Sequence, residues 1–181
     1  MSMQGESGYP RPSRWLHWLS ALIVLGLIPV GLTMMRIGDG ATKNQLYELH
    51  KSFGMIVFVL AALRVAARLA WGAPPPYSGL TRMQRIASTA THHLLYLLLF
   101  AMPILGFVGT SMCCAPVQLF GTFAVPFRFE GTQDTVKTIL WLHGLGGFAM
   151  MALIGLHIAG ALYHLAIRRD GVMARMTLFG R

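Results

Sequence analysis

Apolar residues fill this chain in long blocks, and polar residues collect between them. Uncharged runs cover residues 15–35, 86–127 and 138–167, which are 21, 42 and 30 residues long. A fourth apolar run, from Tyr47 to Trp71, is interrupted by Lys51 and Arg64. Crossing the hydrocarbon core of a bilayer takes about 20 apolar residues of helix, so each run holds one span. The pattern predicts helices over about 14–35, 46–69, 91–112 and 138–168. Residues 1–12 read as a flexible cytoplasmic tail, and 170–181 as a basic one. Ser13 is a candidate N-cap for the first helix, and Trp15 and Trp18 suit the membrane interface. The prolines of GAPPPYSGLT, residues 72–81, force an extended loop, and 82–91 form a short interfacial lead-in. Residues 113–136, rich in phenylalanine, either lie on the membrane surface or cap the bundle. The expected fold is all-α: an integral membrane four-helix bundle over 13–169.

Composition reinforces that class. Hydrophobic residues make up 55% of the 181 and charged ones 12%, and mean hydropathy is +0.57. Those values lie far from a soluble average. The net charge of +9 at first suggests nucleic acid as a partner, but its distribution argues for topology instead. Arg11, Arg14, Arg64, Arg68, Arg82, Arg85, Arg168, Arg169, Arg175 and Arg181 fall on one side of a four-span bundle. The five remaining basic residues fall on the other side, largely balanced by Asp39, Glu48, Glu130 and Asp134. By the positive-inside rule both termini are cytoplasmic, and membrane lipid rather than nucleic acid is the surrounding partner. The first apolar run is too long for a cleavable signal peptide, and no small-residue cleavage motif follows it. Cys113 and Cys114 are adjacent, which is unsuited to an ordinary structural disulfide, so they read as apolar filler near a helix end. No CxxC or CxxCH occurs, which removes support for zinc and for covalent c-type haem.

Histidines carry the candidate chemistry. His143 and His157 are fourteen residues apart on the last predicted helix. That is about 21 Å of rise and close to four whole turns, so both rings leave nearly the same face. Topology supplies partners: His17 lies at the depth of His157, and His50 at the depth of His143. Imidazole is a common axial ligand of haem iron, and a filled bis-histidine site favours electron transfer over oxygen binding. The competing readings are a metal or proton pathway and hydrogen-bonded helix glue. A pathway usually includes Asp or Glu inside the membrane, and the helix cores have none.

Taken together, RWLHW at 14–18, ELHKSFG at 48–54, ALRVAARL at 62–69, HHLLYLLLFAMPILG at 92–106, WLHGLGG at 141–147 and GLHIAGALYH at 155–164 resemble the bacterial cytochrome b561 family. The resemblance extends over residues 11 to about 178. It implies a multi-pass protein of the bacterial inner membrane with two haem b groups, ligated by the pairs His17/His157 and His50/His143. It also implies ubiquinone as electron partner. For compact four-helix members it implies an oxidoreductase that oxidises superoxide and passes electrons to the quinone. Relatives in the wider family serve instead as electron-transfer subunits docked to a dehydrogenase or hydrogenase. A periplasmic donor other than superoxide stays open, and a haem-free transporter or structural bundle is the more distant alternative.

Further candidates surround the pairs. Arg14, Arg64 and Arg68 are either partners of haem propionates or snorkelling anchors at helix ends. His92 is a candidate propionate contact. His164 is a candidate contact for quinone or propionate, or else an interface histidine satisfied by water. Gly54, one turn after His50, leaves room for a flat macrocycle. Lys51 and Lys137 flank the outer pair and are candidates for steering an anion.

Overall fold

The structure, a computed structural model, describes residues 8–114 and 116–178. Most of the tail expected at 1–12 and the end of the tail expected at 170–181, Arg181 included, lie outside the described residues. Four helices make up the body: α1 Arg11–Met34, α2 Ala41–Trp71, α3 Arg82–Cys113 and α4 Gln133–Leu162. All four are long and apolar enough to cross a membrane. The last continues as a π-helix over Tyr163–Arg168, and a 3-10 turn follows at Met173–Met176.

The helices start earlier than the hydrophobic runs do, because their first turns are polar, and in α3 and α4 also capped. For α1 the cap position is Pro10 rather than Ser13, and Pro12 sits in a first turn that has no use for its missing N–H. The opening residues of α2, ATKNQL, are helical instead of loop, and Lys43 pairs with Asp39 at 2.9 Å. Residues 82–91 are the opening turns of α3 rather than a separate lead-in. There Thr81 and Gln84 form a reciprocal capping box, at 3.3 and 3.0 Å. Thr132 caps α4 by accepting from the Thr135 amide at 3.2 Å, and Asp134 adds negative charge to that first turn. Gly72, at φ 72°, ends α2 in a conformation that costs glycine little, and three prolines follow it.

Close packing runs α1 against α2, α2 against α3, and α3 against α4. Val57, Ala61, Leu99 and Met150 form the buried centre, with Ile23, Val24 and Leu27 of α1 packed on it. Around the outside, Leu22, Leu69, Leu97 and Ile167 are largely exposed, as a lipid-facing surface requires.

The two described ends of the chain meet at one end of the bundle, the near end, where the Tyr9 amide donates to the Arg175 carbonyl at 3.0 Å. There the segment after α4 folds back over the bundle: Arg14 donates to the Thr177 carbonyl at 2.7 Å and Trp18 to that of Met176 at 2.8 Å. Arg175 reaches the Pro75 carbonyl and Arg168 that of Gly79, at 2.7 and 3.1 Å. The described part of the basic tail is therefore packed.

At the far end the phenylalanine-rich stretch caps the bundle. It contains an antiparallel hairpin, β1 Gln118–Leu119 with β2 Phe123–Ala124, turning through Phe120 and Gly121 at φ 52° and 68°. Two successive positive φ values make the tight turn that matches strand twist. Ser52, fully buried on α2, accepts from the Phe120 amide at 2.8 Å and holds the turn against the bundle. Cys113 and Cys114 are joined in a disulfide, contrary to the expectation from their adjacency. The backbone leaves the helix at Cys114 (φ −126°, ψ −161°), which brings the two side chains together.

Candidate functional site

Two histidine pairs stand one above the other inside the bundle. Near the termini, His17 of α1 faces His157 of α4 with ring centres 6.0 Å apart and ring planes crossing at 68°. Toward the far end, His50 of α2 faces His143 of α4, also at 6.0 Å, with planes at 75°. The fourteen residues between His143 and His157 separate the layers by about 21 Å of helix rise. Each pair spans a gap between helices that do not pack closely, because α4 lies along α3 while its histidines point at α1 and α2.

The far layer is shaped around its rings. A Cβ built at Gly31 of α1 would stand 3.2 Å from His50 Cε1, and one at Gly106 of α3 would stand 3.1 Å from His143 Cε1. Each of these glycines admits the ring of the neighbouring helix. With Gly106 out of the way, His143 donates from Nδ1 to the Met102 carbonyl at 3.0 Å and presents Nε2 to the gap. Nδ1 of His50 is buried without a well-formed hydrogen bond, although the Leu27 carbonyl faces it. An apolar cavity of about 220 Å³ lies around this pair, its lining including Gly31, His50, Gly54, Leu99, Gly106 and His143. Beside Gly54 and Gly144 a Cβ would meet nothing within 4 Å, so the expected clearance at Gly54 is present.

Charge gathers in the near layer. Arg64 of α2 places Nη2 3.2 Å from His17 Nδ1 and its guanidinium carbon 5.0 Å over the Tyr96 ring. Among the described residues no carboxylate pairs with it. His92 of α3 joins this layer with its ring centre 5.1 Å from that of His157, and its Nδ1 donates to the Ser88 carbonyl at 2.6 Å. Arg14 instead bonds the C-terminal segment, and Arg68 is exposed at the end of α2. His164 is mostly buried and bonds Asp170 at 2.7 Å, where Arg168 also reaches the carboxylate at 3.1 Å. Burial alone would raise the Asp170 pKa. The hydrogen bonds from His164 and the Val172 amide, with the Arg168 charge, outweigh burial and hold it below the usual carboxylate value.

Sequence reasoning left two features unassigned and overstated a third. Tyr96, one turn past His92, supports Arg64; an aromatic at i+4 was the available signal. Ser52 carried no signal, since its partner Phe120 is 68 residues away. The far rim is less positive than its lysines suggested: Lys51 pairs with Glu48, and Lys137 stands 3.8 Å from Asp134.

Among the described residues, no group of three or more His, Cys, Asp or Glu side chains is arranged to hold a bare metal ion. The rings come in twos. Two facing imidazoles suit a metal whose other positions a macrocycle fills. Two metal–nitrogen bonds of about 2 Å, with roughly 1 Å from each nitrogen to its ring centre, span about 6 Å.

A family model for prokaryotic cytochrome b561 matches residues 8–178. Cytochrome b561 homolog 2 of Escherichia coli strain K12 is 34% identical over 162 residues, covering 88% of this chain and 86% of that protein. Cytochrome b562 of Cereibacter sphaeroides is 29% identical over 183 residues, with 96% and 98% covered. The probable superoxide oxidase of Yersinia pestis is 24% identical over 161 residues, with 89% and 90% covered.

Proposed function

The chain belongs to the prokaryotic cytochrome b561 family, and from that premise we propose that it moves electrons from superoxide at the far end to ubiquinone in the membrane. Membrane electron transfer on haem b is the family's business. The finer reading is two haem b groups, one on His17 and His157 and one on His50 and His143. Bound there, haem supplies one-electron chemistry at its iron. The balance is two superoxide ions and one quinone with two protons, giving two dioxygen molecules and one quinol.

The observation that carries this reading is the recurrence of one geometry at two depths. Both pairs have ring centres 6.0 Å apart, and both bridge helices that leave a gap between them. The far cavity, cleared by Gly31, Gly106 and Gly54, accommodates a flat apolar group. In the near layer the unpaired Arg64 calls for a carboxylate, which a haem propionate supplies. Arg14, Arg68 and His92 are secondary propionate candidates. His164, tied to Asp170, is the proposed polar contact for quinone or for a propionate of the near haem.

The bias of arginines to the near end supports cytoplasmic termini in a bacterial inner membrane, and hence a far end that faces the donor compartment. The probable superoxide oxidase among the relatives supports superoxide as that donor. With Lys51 and Lys137 each beside a carboxylate, the two lysines add little net positive charge at the far rim to steer the anion.

A second reading, an electron-transfer subunit docked to a separate dehydrogenase, draws support from Phe123 and Phe127, exposed at 60% and 66% on the far face. Rapid mixing of the purified protein with superoxide, followed at the haem bands with a soluble ubiquinone present, separates the two. Haem reduction followed by reoxidation by quinone, with no other protein added, is the expected result. Haems that dithionite reduces and superoxide does not would overturn the superoxide reading and leave the subunit reading standing. A dithionite spectrum without an α-band would remove both.

A further inference from the structure

The far end holds a redox group that electron transfer through the histidine layers does not use. Cys113 is the last residue of α3, and Cys114 follows it into extended backbone. Their sulfurs are bonded, with Cα atoms 3.7 Å apart, and Cys114 is exposed while Cys113 is partly covered. A disulfide between neighbours closes a small ring and fixes the backbone between them. Three residues past Cys114 is Val117, 1% exposed, which forms part of the wall of the far cavity and whose carbonyl accepts from the amide of Val125, the residue after β2, at 2.9 Å. One turn before Cys113 is Thr110, another wall residue, whose carbonyl stands 3.6 Å from Cys113 Sγ.

We propose that Cys113–Cys114 is a thiol–disulfide exchange site for small thiols of the far-side compartment, and that its reduction loosens the hairpin over the far cavity. A thiolate attacks Sγ of Cys114, the more exposed residue of the two, and the bond to Cys113 breaks, so that Cys113 leaves as thiolate and takes a proton. A second thiol resolves the mixed disulfide. Two thiols thereby become one disulfide, and the cysteine pair gains two electrons and two protons. The freed Cys113 thiol has a waiting acceptor in the Thr110 carbonyl, which suits the reduced state as a stable alternative. Among the described residues the hairpin is otherwise tied to the bundle by buried Val117, by β1 lying on α2, by the Ser52–Phe120 hydrogen bond and by the edge contact of Phe53 with Phe120. A disulfide at the far end also agrees with a far side that faces an oxidising compartment. The inference stands on the hairpin and its joint, whatever donor reaches the far haem.

The test uses the full-length protein and glutathione. Alkylation with N-ethylmaleimide, read by peptide mass, adds nothing to either cysteine as isolated and adds two groups after incubation with reduced glutathione. In Cys113→Ser, oxidised glutathione leaves an adduct on Cys114. In Cys114→Ser the adduct on Cys113 forms at least about tenfold more slowly. Amide hydrogen exchange over residues 116–125 rises by about tenfold or more on reduction. In the Cys113→Ser/Cys114→Ser double variant, exchange is fast with or without glutathione. Alkylation of the untreated protein, failure of glutathione to expose either thiol, equal adduct rates in the two single variants, or exchange over 116–125 that ignores the state of the pair would each overturn the proposal. None of these readouts depends on the haems, so the outcome is separate from that of the superoxide experiment.

Discussion

Arg64 and His17 come from different helices, 47 residues apart in sequence, and meet at 3.2 Å inside the bundle. A guanidinium cannot shed its proton there, and among the described residues it meets the Tyr96 face and an imidazole nitrogen but no carboxylate. Under the two-haem reading the near cofactor supplies the missing negative charge. Arg64→Leu is expected to weaken retention of the near haem or lower its midpoint potential while leaving the far one in place. Haem quantitation and a redox titration check this, and an unchanged titration would return Arg64 to the role of membrane anchor.

Under the two-haem reading the two layers make separable predictions. His50→Ala or His143→Ala should halve the haem content per protein while sparing the near haem. His17→Ala or His157→Ala should do the converse. Pyridine haemochrome quantitation with low-temperature spectra reads both, and loss of both haems from a single substitution, in protein that remains folded, would count against independent sites.

Gly106→Ala tests the fit of the far layer without touching a ligand. Its Cβ would stand 3.1 Å from His143 Cε1 and 3.2 Å from Nδ1, so the ring must shift or lose the Met102 hydrogen bond. Overpacking of this kind costs about 1–3 kcal/mol, and thermal stability and, under the two-haem reading, the far haem's potential should register it. Gly26→Ala, where a Cβ meets nothing within 4 Å, is the control and should leave both unchanged.

Ser52→Ala removes the acceptor that holds the Phe120 amide. Leaving a buried amide unpaired costs about 1–3 kcal/mol. Hydrogen exchange at Phe120 should accelerate accordingly, with helix signals unaffected. A protection factor equal to wild type would mean that the hairpin does not depend on this bond.

The near-end closure should be acid-sensitive. Asp170 titrates below its ordinary value of 3.8 in the folded protein, so its bonds stabilise the C-terminal turn above that value, and the contribution fades as pH falls through the folded pKa. Emission of Trp18, whose ring N–H bonds the Met176 carbonyl, should change as pH drops below about 4. In Asp170→Asn it should be altered already at neutral pH and lose that acid transition.

Membrane crossing was written plainly in the order of residues. Runs such as 15–35 and 138–167 leave the backbone no option but helix once water is excluded, because each amide must find its partner within the same segment. The histidine depths followed from rise per residue and alternating direction alone, which is why His17 and His157, and His50 and His143, can be matched on paper. Helix starts were harder, since capped polar turns such as Thr81–Gln84 carry no hydrophobic signature.

What the chain could not declare were relations between residues distant in sequence. Arg64 against His17 and Tyr96, Gly31 making room for His50, Ser52 holding Phe120, and the gap between α4 and its partners all depend on how helices rotate about their axes. That rotation is decided by side-chain packing over the whole bundle. Adjacency of Cys113 and Cys114 argued against a bond until the backbone left its helix between them. Periodicity fixes which face of a segment is apolar; only the assembled helices decide which neighbour that face meets, because contact energies are set in three dimensions rather than along the chain.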